Sequence, residues 1–311
     1  IGGKLAQLGQ RLINGTAVMT GVAALVFSDA RTLLRTANLA AAMTMEALRA
    51  RLEPFDERIH DLRRHAGQGA VAKDILSYIA GSKLIGTCDD VQDAYSIRCM
   101  PQVHGAVSDT VDFVENVLLN ELNAVTDNPL LFPADGDVLS GGNFHGEPVA
   151  FAMDYLGIAL AELASISERR TNRLLNPALI RGLPAFLTRD AGLNSGLMIA
   201  QYTQAALVSE NKILAHPASV DSIPVSADQE DYVSMGTIAA RKARSIADNV
   251  ATVVAIELLA AYQAVDILGG EDLSAANSTV SILSGIATAG TQTVNILNGA
   301  STSAGQAINI M

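Results

Sequence analysis

Three carboxylates lie within the short stretch SADQEDYVSMG, which occupies Ser226–Gly236: Asp228, Glu230 and Asp231. An apolar segment with helical spacing follows. Acids just before a helix are favoured by its free backbone N–H groups and by the positive end of its macrodipole. A carboxylate here could instead accept hydrogen bonds from a ligand. The sequence predicts Asp228 and Asp231 as helix-start acids, and for Glu230 the spacing alone leaves both interpretations open.

A second group of reactive types lies in QDAYSIRCMPQVHGA, at Gln92–Ala106. Tyr95 and Arg98 are three residues apart, so on a helical turn their side chains point the same way. A guanidinium placed like this can bind a carboxylate through two parallel hydrogen bonds. The spacing alone fits an ordinary surface arginine equally well.

Polar motifs also flank other apolar segments. Asn14, in INGT, is suited to cap a helix. In SGGNFHGEP two glycines permit close backbone approach, and Phe144 and His145 precede a helix that Pro148 helps to start. We interpret His145 as a structural histidine. The charged residues of SERR, at Ser167–Arg170, predict ion pairs between helices.

Long segments without proline predict the architecture. Apolar residues recur at helical spacing through Ala17–Arg51, Val149–Asn176 and Gln229–Leu268, and a shorter helix is predicted at Gly105–Val125. Such lengths exceed the usual helix of about three turns and are typical of bundles. The sequence therefore predicts an all-α fold in which long helices form an oligomeric core.

Composition limits the class of protein. The chain has 311 residues, of which 49% are hydrophobic and 17% charged, with a formal net charge of -11. The acidic balance argues against nucleic acid as a partner. Two cysteines, Cys88 and Cys99, are typical of a reducing compartment, so a cytoplasmic location is expected. No HExxH, GxSxG or His and Cys cluster predicts a metal site or a hydrolase.

One segment is long enough to cross a bilayer, at Val250–Leu268. Glu257, Gln263 and Asp266 interrupt it. A helix buried among other helices fits this pattern better, so no membrane partner is expected.

Taken together and in this order, the motifs resemble the aromatic amino acid ammonia-lyase family, and most of all its members that act on histidine. The resemblance runs from about Leu12 to Asp266 and fades after it. The motifs that carry it are INGT, PFDERIHDLRRHAGQ, QDAYSIRCMPQVHGA, NAVTDNPL, SGGNFHGEPVA, SERR, NSGLMIAQYTQAALVSENK and HPASVDSIPVSADQEDYVSMG.

The resemblance implies a helical bundle of the ammonia-lyase and fumarase-aspartase type, assembled as a homotetramer whose active sites are shared between subunits. It implies a protein-derived cofactor, 4-methylidene-imidazol-5-one, which forms from an internal Ala-Ser-Gly, and no metal. It also predicts residues 1–268 as a central lyase-like domain and 269–311 as an uncharged low-complexity segment of unknown structure. From Leu273 to Met311 no residue carries a charge.

The resemblance assigns roles to matching residues. Arg98 is similar to the group that binds the substrate carboxylate, Tyr95 to a phenol that hydrogen-bonds in the site, and Gln92 to a polar contact beside them. Asn14 resembles the amide near the electrophile and the carboxylate.

Two further residues complete the predicted site. Phe144 resembles the aromatic side chain that packs against the electrophile. Glu230 matches the carboxylate facing the imidazole of histidine. An imidazole offers N–H donors to a carboxylate, whereas a phenyl ring would leave the charge desolvated and unpaired. The motif therefore favours conversion of L-histidine to urocanate and ammonia.

The sequence departs from the family pattern at several positions. Ala-Ser-Gly occurs nowhere in the chain, so we expect that the chain begins inside a larger protein and is inactive alone. The histidine enzymes usually have Asn and His where this chain has Asp228 and Tyr232. A tyrosine or phenylalanine ammonia-lyase or aminomutase therefore stays an alternative, as does a non-catalytic, oligomerising homologue or fragment.

Overall fold

The computed structural model of the chain describes residues 15–272, with side chains to residue 268. Within this range the backbone forms eight α-helices, two short 3-10 turns and one antiparallel hairpin. The helices are α1 (Ala17–Ala47), α2 (Glu57–Arg63), α3 (Ala66–Tyr78), α4 (Tyr95–Arg98), α5 (Met100–Leu122), α6 (Glu147–Leu175), α7 (Met198–Leu214) and α8 (Gly236–Asp272); the strands are β1 (Leu130–Phe132) and β2 (Asp137–Leu139).

The prediction of a long-helix, mainly helical fold is confirmed, with corrected helix boundaries. Helix α1 ends at Ala47, before Arg51, because Arg49 has a left-handed backbone. Helix α5 begins at Met100 and so earlier than predicted, with Pro101 in its first turn. Helix α6 begins at Glu147 with Pro148 in its first turn, as the motif predicted. The domain boundary at 268 stays a prediction, because residues 273–311 lie outside the described part.

The three long helices α1, α6 and α8 pack against one another, and α5 and α7 cover their sides. The inner face of α8 is built from small residues, including Ala239, Ala243 and Ala247, which are almost completely buried. Across from it, a Cβ on Gly157 of α6 would lie 3.2 Å from Ile246. Small side chains therefore bring the two helix backbones close together.

A layer of buried polar groups separates two apolar clusters along the bundle. Its centre is an ion pair between Arg170 of α6 and Glu257 of α8, both of whose side chains are 0% exposed. The Arg170 guanidinium donates from Nε and Nη2 to the two oxygens of Glu257, at 2.5 and 2.8 Å. Ser167 donates to the same carboxylate at 2.6 Å and Thr44 of α1 at 3.0 Å. The prediction of an interhelical ion pair in SERR is confirmed for Arg170.

His104 of α5 extends this polar layer. Arg170 Nη1 lies 3.2 Å from its Nε2, and its Nδ1 lies 2.7 Å from the Oδ1 of Asn38. Because arginine can only donate, Nε2 is the acceptor, and Nδ1 carries the hydrogen donated to Asn38. Burial, and then the charge of Arg170, hold the pKa of His104 well below its ordinary value. His104 is therefore neutral in the folded protein.

By length and composition, α1, α6 and α8 could each cross a membrane. In this structure Glu257, in the middle of α8, is enclosed by side chains of α6 and α1 instead. The enclosure supports the interpretation of α8 as a helix of the bundle.

Replacing Glu257 by Gln should lower the free energy of unfolding by about 3–5 kcal/mol, because Arg170 would keep a buried charge without its counter-charge. Urea unfolding of the full-length protein measures this. The matched control is Glu115→Gln, which removes an exposed pair with Arg31 at 3.4 Å and should cost less than about 1 kcal/mol. Equal costs for the two variants would contradict a central role for the buried pair.

His104 should make stability fall as the pH decreases below 6.5, its ordinary pKa. In that range the unfolded chain binds a proton at this position that the folded chain does not, so protons favour unfolding. The slope reaches about 1.4 kcal/mol per pH unit for one group. Urea unfolding at pH 7.5 and 5.5 should show a smaller loss for His104→Gln than for the unsubstituted protein, whereas equal losses would refute the assignment.

Candidate active site

Tyr95 and Arg98 lie together on the single turn of α4, as predicted. The Cζ of Arg98 lies 4.6 Å from the centre of the Tyr95 ring, which places the cation over its negative face. Tyr95 is 70% exposed, and Gln92 is exposed just before the turn. The Nε of Arg98 is buried and has no hydrogen-bond partner in the part of the chain that the structure describes. An N–H donor therefore remains available at this position.

A buried carboxylate missed by the sequence reasoning holds this turn in place. Asp93 accepts from the backbone N–H of Arg51 at 2.7 Å and from Nη2 of Arg181 at 2.9 Å. Arg181 also binds the backbone carbonyl of Leu48. These contacts tie the segment before α4 to the end of α1 and to the loop after α6. Their partners are distant in sequence, so spacing gave no signal for them.

Phe144 lies at the opposite end of α6, just before its first residue, and is 45% exposed. The hairpin in front of it is tied down by Asn128, whose Oδ1 accepts from the backbone of Gly141 at 2.8 Å and from Ser140 at 3.0 Å. The backbone N–H of His145 donates to the carbonyl of Gly142 at 2.9 Å. Gly142 thus closes a turn that contains Phe144 and leaves its side chain about half exposed.

Glu230 lies in a loop before α8. Its backbone pairs with Val225 in both directions, at 3.0 and 3.3 Å, and the residues between them include three consecutive left-handed ones, Ser226, Ala227 and Asp228. Within residues 15–272 the Glu230 side chain is exposed and forms no ion pair or side-chain hydrogen bond. Its carboxylate is therefore free to accept hydrogen bonds.

The prediction that Asp228 and Asp231 are helix-start acids is wrong. Helix α8 begins at Gly236, and its first turn contains no acid. The proline-free segment predicted a helix from Gln229, but the residues before Gly236 form the loop instead. The three carboxylates therefore lie before the first turn, where the free N–H groups of the helix are.

The ends of three helices meet beside Phe144 and Glu230. A Cβ on Gly146 would lie 2.4 Å from the sulfur of Met19, and one on Gly236 would lie 2.5 Å from the same atom. Only glycine allows α6 and α8 to begin so close to α1. The structure thereby brings the Phe144 and Glu230 segments together. Asn14, just before this end of α1, lies outside the described residues, so its predicted role stays a prediction.

The predicted residues therefore form two separate groups within one chain: Gln92, Tyr95 and Arg98, and Phe144 with Glu230. The first group lies near the C-terminal end of α6, where Arg170 donates to the carbonyl of Ser96 at 3.5 Å. The second group lies near the first residue of α6. At 1.5 Å per residue, the stretch of α6 from Glu147 to Arg170 is roughly 35 Å long. One small ligand cannot contact both groups of the same chain.

Within residues 15–272, the predicted site residues coincide neither with a metal-ligand group nor with the cavity described next. No group of three His, Cys, Asp or Glu side chains there could hold a metal ion. A cavity of about 520 Å³ lies between α2 and α3, but its lining contains none of the predicted site residues.

Comparisons with known proteins show which family the chain resembles. Its residues 8–286 match the family model for aromatic amino acid lyases, so the match extends beyond Asp266, where the motif resemblance faded. Histidine ammonia-lyases from Alkaliphilus oremlandii and Deinococcus radiodurans are 57% and 59% identical over 267 and 265 residues, which are 85% and 84% of this chain but 52% and 50% of those proteins. The chain spans about half the length of the curated relatives it matches.

Solved structures give the same fold. Histidine ammonia-lyase from Trypanosoma cruzi is 51% identical with a TM-score of 0.77, over 84% of this chain and 49% of that one. Phenylalanine aminomutase from Pantoea agglomerans is 36% identical with a TM-score of 0.81, over 86% and 56%. Tyrosine aminomutase from Streptomyces globisporus is 43% identical with a TM-score of 0.79, over 84% and 54%. The chain belongs to the aromatic amino acid lyase family.

Proposed function

We propose that this chain is part of a histidine ammonia-lyase that eliminates ammonia from L-histidine to give urocanate, once completed by the part of its relatives' length that it does not span. Relatives named histidine ammonia-lyase at 57% and 59% identity support the proposal. We also propose a cytoplasmic location, because the two cysteines, Cys88 and Cys99, are unpaired.

Glu230 carries the choice of substrate. Its carboxylate is exposed, is not used as a helix cap and has no side-chain partner among the described residues. A carboxylate in a closed site needs donors, and the imidazole of histidine supplies N–H groups at the required end of the substrate. A phenyl or phenol ring in the same position would leave most of the charge unpaired. The free carboxylate therefore favours histidine.

At the other end of the substrate, Arg98 is proposed to bind the carboxylate. Its Cζ lies 4.6 Å from the centre of the Tyr95 ring, and its Nε has no hydrogen-bond partner among the described residues, so the guanidinium is not committed to another carboxylate there. Gln92 and Asn14 are proposed as further polar contacts. Tyr95 is exposed, so its hydroxyl can reach a bound ligand and exchange a proton there.

The family implies the cofactor 4-methylidene-imidazol-5-one, which acts as an electrophile and makes the β-proton of the substrate removable. The tripeptide that forms it, Ala-Ser-Gly, is not in these 311 residues. The half-exposed ring of Phe144 fits a planar group, because it is apolar and flat and because a Cβ at Gly141 or Gly142 beside it would meet no atom within 4 Å. Phe144 would shield that group from water, and Asn14 would donate to it.

A homotetramer with shared sites is proposed as the active form. Two features support it. The two groups of site residues are roughly 35 Å apart along one chain, so a complete site requires residues from different copies. Large apolar side chains are also exposed in a stripe on α6, where Phe151, Tyr155 and Ile158 are 56%, 50% and 45% exposed. Such a stripe is typical of a surface that another helix covers.

The second candidate is a lyase or aminomutase acting on tyrosine or phenylalanine. Tyr232 favours it, because an aromatic side chain beside Glu230 makes the loop less polar than the histidine residue usual at this position. Structural similarity to two aminomutases, at 36% and 43% identity, is compatible with it.

The complete protein should form urocanate from L-histidine faster than it forms coumarate or cinnamate from tyrosine or phenylalanine. Replacement of Glu230 by Gln should lower kcat/KM for histidine about 10–100-fold, the loss expected for one charge-assisted hydrogen bond. Ultraviolet absorbance of the three products measures both results.

Asp231→Asn is the matched control, since it removes an equally exposed carboxylate of the same loop. It should leave kcat/KM within about threefold, and neither variant should change the melting temperature. Rapid coumarate formation without urocanate would support the aromatic-substrate alternative. If the complete protein acts on none of the three amino acids, the non-catalytic alternative is supported.

Mixing two inactive variants should restore activity if the site is shared. Arg98→Ala and Glu230→Ala remove residues from the two separate groups, so refolded mixtures contain some sites in which both residues are intact. Random mixing gives about a quarter of the sites intact in a closed oligomer. Urocanate formation by the mixture, against each variant refolded alone, measures this, and no recovery in mixed oligomers would place both residues in one subunit's site.

A further inference from the structure

The loop that carries Glu230 has one aromatic contact with the start of α6. The ring of Tyr232, two residues after Glu230, stacks on the ring of His145, with centroids 5.9 Å apart and planes 10° from parallel. His145 is next to Phe144 in the chain. The contact therefore joins the two segments that carry the second group of site residues.

The contact that His145 makes is a ring contact, because neither of its ring nitrogens has a hydrogen-bond partner among the described residues. Its Nε2 is buried and has no hydrogen-bond partner in residues 15–272. Its Nδ1 is 4.0 Å from the nearest carboxylate oxygen, on Glu147, which is too far for a hydrogen bond. A phenyl ring in this position would lose no hydrogen bond found in the structure. The stack with Tyr232 is the specific contact that remains.

Two further restraints on the loop act within it. Val225 and Glu230 pair through their backbones, and the N–H of Val233 donates to the hydroxyl of Ser222 at 2.9 Å. These bonds define the shape of the loop but do not join it to α6. The chain is joined to the α6 region on both sides of the loop: Asp154 of α6 accepts from the backbone N–H groups of Ala218 and Ser219 at 2.7 Å each, and a Cβ on Gly236 would lie 3.3 Å from the carbonyl of Gly146. Between these two anchors, the aromatic stack is the contact that sets the position of Glu230 relative to Phe144.

We propose that His145 and Tyr232 are a positioning pair that sets substrate specificity, because their stack holds the carboxylate of Glu230 at a fixed place beside Phe144. The inference rests on the proposed function, since it gives Glu230 the side chain of the substrate as its partner. Neither residue touches the reacting atoms in this assignment. Both act through Glu230.

The test compares ring removal with ring retention in the complete protein. Tyr232→Ala and His145→Ala should each raise KM for L-histidine about tenfold while kcat changes less than about threefold, because a misplaced Glu230 weakens the substrate and its transition state equally. Tyr232→Phe and His145→Phe keep the rings and should stay within about twofold of the original KM. The double alanine variant should be no worse than the worse single one, as expected for residues that act as a unit.

Hydrogen exchange gives a readout that does not depend on catalysis. Peptides that cover residues 222–233 should exchange about tenfold faster in both alanine variants and at the original rate in both phenylalanine variants. Tyr202→Ala is the matched control, because Tyr202 and Tyr232 are both 65% exposed. It should change neither exchange of this loop nor KM.

The outcomes separate the two proposals. If the unsubstituted protein makes no urocanate, the proposed function fails, and unchanged loop exchange in the alanine variants would then also refute the positioning pair. If urocanate forms but the alanine variants keep the original KM and exchange, only the pair is refuted. Phenylalanine variants as damaged as the alanine ones would show that polar atoms act there and would overturn the role of the stack.

Discussion

The buried ion pair between Arg170 and Glu257 is the contact on which the bundle depends. A charge buried between apolar helices is costly unless its counter-charge lies at the same level along the bundle axis. The pair therefore fixes how α6 and α8 are aligned along their axes. Ser167 and Thr44 complete the hydrogen bonds of the carboxylate, which brings α1 into the same alignment. Apolar packing alone would tolerate sliding by one turn, whereas this polar layer does not.

The alignment has a direct effect on both groups of site residues. Arg170 also donates to the carbonyl of Ser96, in the segment of Tyr95 and Arg98, so the first group of site residues is connected to the polar layer. The other end is fixed by the meeting of α1, α6 and α8 at Met19. Long helices thus hold the two groups of site residues far apart, so in the proposed shared site the other subunits would have to keep equally precise positions.

Sequence reasoning recovered the parts that depend on local pattern. The proline-free segments gave the long helices, and Pro148 marked the start of α6. The start of α8 was predicted too early, at Gln229, because the segment from Gln229 contains no proline and nothing in the apolar pattern marks where the loop ends and the helix begins at Gly236. The anchor of Asp93 was invisible for another reason. Its partners, Arg51 and Arg181, come close only through tertiary packing, which the spacing of residues in the sequence does not indicate.

The same limit applies to the distance between the two groups of site residues. Motif order predicted that Arg98 and Glu230 act on one substrate, but nothing in it indicated that the two residues of one chain lie at opposite ends of α6. The resemblance to a family supplied the idea of shared sites, and the helix length gave it a physical reason.

The junction of Gly146, Gly236 and Met19 has a consequence for protein engineering. The two glycines have no room for a side chain, so randomising them would not alter the substrate range of the proposed enzyme, and most such variants would lose the junction itself. The exposed loop at Asp228–Tyr232, by contrast, has open space around its side chains. Diversity in a mutant library is best concentrated in that loop, with the glycines kept constant.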